Sequence, residues 1–351
     1  MKNLSVRSVY GGVPSTLLEG GRTLADSGIN AVWMGTGALN HPDVALLREQ
    51  QAHVFAEFNT LHHAAFLAEH PDAAPVGTDG QVCPPPDGWQ GVCPTHVAYR
   101  QNRMDAFRAA LAEFDLDGIW LDYHHSHASW EQAQPNLPDT CFCSRCLSRL
   151  QEETGTRLPD LPTPQLTERL LGPLREEWTA WRCAVLTDWV REFREIRDAV
   201  RPGALLGTFH CPWTDTERDG ALRHKLAIDL RAQREHLDVF SPMPYHARFG
   251  HGDDPEWIAR RVAWLGQYLD ITGQEPGPAV ARGFKRIWPI VQLSDWGDPP
   301  VPTEQVMPVL GAGSRLPATG VTVFAWNSLR EQPHKVEALC AFYRAAAAAA
   351  G

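Results

Sequence analysis

Short apolar runs and amphipathic stretches alternate from one end of the chain to the other. Eight runs bounded by turn residues read as strands buried on both faces: 5–12 (SVRSVYGG), 30–37 (NAVWMGTG), 52–59 (AHVFAEFN), 117–124 (DGIWLDYH), 204–213 (ALLGTFHCPW), 237–246 (LDVFSPMPYH), 286–296 (RIWPIVQLSDW) and 320–328 (GVTVFAWNS). Helical spacing fills the gaps. Over 103–114, Met104, Phe107, Leu111 and Phe114 fall at steps of three and four, and over 177–202 Trp181, Val185, Trp189 and Phe193 do the same before Pro202 stops the pattern. Segments 255–269 and 333–350 behave alike, and the C-terminal alanine run is a helix former rather than a functional tail.

This alternation predicts an α/β chain, a single (β/α)8 TIM barrel with loop elaborations spanning 1–351 as one domain. A doubly wound open sheet is the competitor, but GGVPST after the first strand lacks the Gly-x-Gly-x-x-Gly phosphate loop. The proline-rich stretches 71–96 and 154–175 read as the elaborations.

In such a barrel, chemistry gathers at the C-terminal ends of the strands. Those ends carry Glu57 after strand three, Asp122, His124 and His125 after strand four, and His210, Trp213 and Asp215 after strand five. Tyr245 and His246 follow strand six, Gln292, Asp295 and Trp296 strand seven, and Trp326 strand eight. Carboxylates, histidines and tryptophans converging in this way suit glycoside processing. One carboxyl protonates the leaving oxygen while another attacks or activates water, and aromatic faces hold the ring. Asp122 stands out because it follows an apolar strand directly; Glu57, Asp215 and Asp295 are the candidates for its partner. Any one of these aspartates could equally cap a helix or hold a loop.

Composition narrows the class. Thirteen tryptophans are many for 351 residues and suit an aromatic sugar site, whereas a net charge of −10 disfavours nucleic acid and anionic membrane as partners. The N-terminus has no apolar signal segment and no run approaches membrane-spanning length, so a cytoplasmic protein is expected. Eight cysteines in a reducing compartment are not a disulfide framework. Three of them, Cys141, Cys143 and Cys146 in CFCSRC, read as three corners of a tetrahedral metal site, with the fourth from Cys83 or Cys93.

CPTHVAYR (93–100) followed by CFCSRCLSRLQEETG (141–155) resembles the glycoside hydrolase family 42 β-galactosidases. The resemblance implies a structural zinc on Cys93, Cys141, Cys143 and Cys146, a carbohydrate substrate, and relatives that often form trimers, which leaves a homo-oligomer open. It also exposes departures: the family has an Asn-Glu after strand four and a Glu after strand seven, where this chain has LDYHH and IVQLSDW. An aspartate after strand four is similar to the nucleophile of α-galactosidase and α-amylase type barrels. Glycoside hydrolysis is therefore the leading reading. A sugar-binding barrel without turnover is the second. A metal-dependent hydrolase using DYHHSH (122–127) is the third, weakened because VYGG replaces the usual His-x-His after strand one.

Overall fold

A computed structural model describes residues 4–274, 280–296 and 300–350. Its strands are β1 (Val6–Tyr10), β2 (Ala31–Gly35), β3 (His53–Asn59), β4 (Gly118–Asp122), β5 (Leu205–His210), β6 (Val239–Pro242), β7 (Arg286–Ile287), β8 (Ile290–Gln292) and β9 (Gly320–Phe324). All pair in parallel, in the order β7-β6-β5-β4-β3-β2-β1-β9-β8. The eight expected runs are all present; the seventh is split into β7 and β8 at Trp288 and Pro289. Proline has no N–H for the ladder, which accounts for the break. Trp288 N still donates to Phe240 O of β6 at 3.0 Å, and Pro289 O accepts from Thr322 N of β9 at 3.0 Å. The run thus joins both ends of the sheet and closes an eight-stranded (β/α)8 barrel.

The longest helix, Arg175–Val200, buries Trp178, Trp181, Val185, Trp189 and Phe193 along the predicted stripe. Helices Val97–Glu113, Glu256–Leu269 and Pro333–Ala350 fall where the other patterns placed them, the first starting six residues early. His96 caps that early start, its Nδ1 accepting from Tyr99 N at 3.1 Å. The β1–β2 connection is an exception to the strand–helix rhythm, with only short 3-10 turns.

Inward-facing residues fill the barrel. Trp33, Phe55, Trp120 and Trp288 form an aromatic plug, with Trp33–Phe55 centroids 4.3 Å apart and Trp120 stacked on Trp288 at 5.7 Å. Gly207 makes room for this plug: a Cβ there would lie 2.2 Å from Trp120 Cε2. Two residues further along β3 and β4, the same inward faces carry Glu57 and Asp122, so the plug is the floor on which the carboxyls stand. Among the described residues no helix is long and apolar enough to cross a membrane.

Candidate active site and cysteine cluster

Asp122 ends β4, where the parallel register sets it opposite Asn59 of β3. Its carbonyl accepts from Thr60 N (3.0 Å) and Thr60 Oγ1 (2.8 Å), which fixes the strand end. Tyr123 then adopts the left-handed region (φ 50°) and its N–H turns back to donate to Asp122 Oδ1 at 2.9 Å. That conformation is unfavourable for an aromatic residue, and it keeps the carboxyl aimed into the barrel.

Beyond Asp122 lies a cavity of about 170 Å³ lined by Tyr10, Trp89, Tyr123, Phe209, Met243, Tyr245, Ile290, Trp296 and Phe324, with Asp122 and Glu131 as its two carboxyls. Tyr10, Tyr245 and Trp296 pack around Phe324 with centroids 5.4, 5.2 and 5.2 Å away. Tyr123 packs against both Trp89 (5.2 Å) and His62 (5.0 Å), which also touch each other, to make the opposite wall. Arg248 lies 3.8 Å over the Trp296 ring.

Three carboxyls lie at this end of the barrel, Asp122 and Glu131 on the cavity and Glu57 beneath Tyr10, and none is comfortable as an anion. Burial, then the Asp122 charge, push Glu57 up to about 8, although Tyr10 Oη donates to its Oε2 at 3.3 Å. Burial raises Asp122 to about 6 against the Tyr123 N–H. Burial and the Asp122 charge raise Glu131 to about 8, with Arg248 opposing. Near neutral pH, Asp122 is therefore the ionised member and the glutamates hold protons.

The sequence candidates divide accordingly. Asp122, Tyr245 and Trp296 line the cavity, and Glu57 lies against Tyr10 on its floor. His125 lines a smaller recess beside Asp122, Trp130 and Glu131. The other candidates do not line the cavity. Asp295 is clamped by Lys335 Nζ (2.7 Å), Gln332 Nε2 (2.9 Å) and Val301 N (3.0 Å). Asp215 is exposed. Gln292 bridges the backbone oxygens of Ser294 and Trp296 at 3.1 and 3.0 Å. Trp213 is buried beneath Arg218, and Trp326 is buried at the start of a short helix. His124 Nε2 binds Leu186 O (2.9 Å), His210 Nδ1 binds Cys211 O (2.9 Å) and His246 Nε2 binds Gln305 Oε1 (3.0 Å).

The same placement removes the DYHHSH metal reading. His124, His125 and His127 turn to three different backbone oxygens, those of Leu186, Ser126 and Pro84. Sequence reasoning missed Glu131, Tyr10, Trp89, Phe209 and Phe324. Tyr10 and Phe324 were legible as the ends of β1 and β9. Glu131 sits in the irregular segment after β4, where no periodicity marks it.

The cysteines do converge. The ligand atoms of Cys93, Cys141, Cys143 and Cys146 all lie within 4.8 Å of one another, largely buried. Cys93 Sγ stands 3.7 Å from Cys143 Sγ and 3.6 Å from Cys146 Sγ. Tetrahedral zinc with bonds of about 2.3 Å would separate its sulfurs by about 3.8 Å, so the arrangement fits a closed four-thiolate metal site. Val76 N donates to Cys141 Sγ, and Thr95 Oγ1 lies against Cys93 and Cys146 Sγ, each at 3.2 Å. Cys83 stays outside this cluster.

No family model and no curated protein matches the sequence. Solved structures do match the shape. The glycoside hydrolase domain of PgaB from Bordetella bronchiseptica superposes with a TM-score of 0.63 at 14% identity, over 90% of this chain and 89% of that one. A β-galactosidase from Halorubrum lacusprofundi gives 0.64 at 14% identity, and a GH42 β-galactosidase from G. stearothermophilus gives 0.64 at 12%. The fold is the barrel of these glycoside hydrolases. The match takes in 98% and 99% of this chain but only 58% of each β-galactosidase chain.

Proposed function

We propose that this barrel, one domain over 1–351, is a glycoside hydrolase with Asp122 and Glu131 as its working carboxyls and a structural zinc on the four cysteines. The observation that carries this reading is the pairing of two carboxyls of different protonation in one aromatic cavity at the strand ends. Asp122, ionised above about 6, would attack the anomeric carbon or activate water; Glu131, protonated up to about 8, would give its proton to the leaving oxygen. Trp89, Tyr245 and Trp296 would stack on the ring. Gln292 or Asp295 stands near the strand-seven position where the family 42 enzymes carry a glutamate, and neither lines the cavity, so the second carboxyl would come from the β4 loop instead.

The zinc would close its site with thiolates and leave no open position, which suits a structural role. The test is hydrolysis of a panel of aryl α- and β-glycosides by wild type and Asp122→Asn. We expect turnover with limbs near pH 6 and pH 8, and a loss of two orders of magnitude or more in the variant, about 3 kcal/mol of barrier. Undiminished turnover in Asp122→Asn removes Asp122 from the reaction. Sugar binding without turnover on any substrate points to a binding barrel.

A further inference from the structure

Four thiolates around a divalent ion leave two negative charges in excess, and a buried excess charge is costly unless something neutralises it. Two arginines stand beside the cysteine cluster. Arg182, 6% exposed, donates to Ser126 Oγ (2.7 Å), His224 O (2.8 Å) and Lys225 O (3.0 Å), and among the described residues no carboxylate accepts from it. Asp139, a carboxylate in its field, is already engaged by Lys225 Nζ at 2.6 Å. The neighbouring Cys183 is kept a neutral thiol, burial pushing it up to about 11. Among the described residues, Arg182 therefore lies buried without an anion of its own. What it does share, with Cys141 and Cys146, is the wall of a small cavity of about 20 Å³.

Arg145 lies in the opening turn of the helix Ser144–Thr154, between Cys143 and Cys146 in sequence, with its Nη1 buried and without a hydrogen-bond partner among the described residues, and the fields of Cys93 and Cys143 reach it. It also reaches the exposed Asp72 at 3.3 Å, which His96 Nε2 shares at 3.0 Å. The two guanidiniums thus approach different members of the quartet.

We propose that Arg182 and Arg145 are the counter-ions of a dianionic, four-thiolate centre, and that their two positive charges tune the site for a divalent ion. The inference rests on the metal reading of the cysteines and adds the residues that set its affinity. A trivalent ion, or a divalent one with a thiol still protonated, would leave the pair of arginines over-compensating. Ser126, which Arg182 holds, belongs to the loop between Asp122 and Glu131, so the same guanidinium joins the cluster to the candidate active site.

The experiment uses the whole chain, with Zn²⁺ and Co²⁺ as probes. Metal content is counted by mass spectrometry, and zinc affinity is read by competition with a chromophoric chelator. Wild type should hold one zinc per chain and give the intense thiolate-to-cobalt absorption of a four-sulfur site. Arg182→Met should weaken zinc 10- to 100-fold, and Arg182→Lys should recover most of that despite losing the guanidinium hydrogen bonds. Arg145→Met, at a more exposed position, should weaken zinc about tenfold and serves if Arg182→Met does not fold. Arg149→Met, on the same helix but paired with Glu153, should leave affinity unchanged.

Wild-type affinity in both Arg182→Met and Arg145→Met overturns the proposal. So does Arg182→Lys binding as poorly as Arg182→Met, because then the hydrogen bonds and not the charge are what matter. A wild-type chain that takes up neither zinc nor cobalt instead sinks the metal reading, and this inference with it.

Discussion

Replacing Glu131 by glutamine should stabilise the protein at pH 8, although it removes a proposed working group. Unfolded glutamate releases its proton near 4.5, whereas Glu131 in the folded chain keeps it up to about 8. Between those values the folded state binds the extra proton, so stability falls as pH rises through the window. From pH 5 to pH 8 one such carboxyl accounts for about 3 kcal/mol of lost stability. Glutamine has nothing to titrate and keeps the shape. The variant should therefore match wild type at pH 5 to within about 1 kcal/mol and exceed it at pH 8 by about 2 kcal/mol. Urea unfolding at a series of pH values, each variant measured beside wild type with zinc present throughout, reads the difference directly. Metal content is measured at each pH, so that only metal-loaded chains are compared. A Glu131→Gln chain weaker than wild type by the same margin at pH 5 and pH 8 would refute the claim that this carboxyl is buried and protonated.

Two further perturbations test the scaffold. Cys143→Ser should drop bound zinc well below one equivalent and lower the melting temperature by several degrees, because one lost thiolate opens a site whose binding energy is folding energy; metal content and a thermal melt check both. Gly207→Ala should cost roughly 2–3 kcal/mol, because its Cβ would meet the Trp120 ring at 2.2 Å inside a packed aromatic plug. Denaturant unfolding measures it, and a loss under about 0.5 kcal/mol would mean that the plug yields more easily than close packing allows.

The barrel was legible because its signal is repeated. Each strand is a short apolar run between turn residues, and one uncertain run changes little when seven others agree. The split of the seventh run shows the limit. RIWPIVQLSDW reads as one strand, and it does bridge β6 and β9, yet Pro289 inside it forces two short ladders in place of one. The β1–β2 connection departs from the expected alternation: residues 13–30 carry glycines at 20, 21 and 28 and no sustained apolar stripe. Gly28 is held there by the Tyr343 backbone, which a Cβ would meet at 2.4 Å, so the C-terminal helix closes over that gap.

The site was legible only where a strand carries it. Asp122 and Glu57 project inward by the two-residue period of strands lying side by side, which a reader of the sequence can count. Asp295 and Gln292 also follow a strand, but Lys335 of the last helix and Gln332 just before it claim the aspartate, and backbone oxygens of the next residues claim the glutamine. Those partners lie 37 to 40 residues away or in irregular chain, and no local pattern announces them. Glu131 fails for the same reason in reverse. It reaches the cavity because its loop is anchored at one end by Asp122 and at the other by Cys141 of the cluster, with Gly91 N on His127 Nδ1 at 3.0 Å stitching the middle to the β3 loop. The cysteine pattern, which was legible, thus fixes in space the carboxyl that was not. A chain that binds metal at the cluster and loses Glu131's perturbed titration when the metal is removed would establish that dependence; a Glu131 titration unchanged by metal removal would show that the loop is held by its own packing.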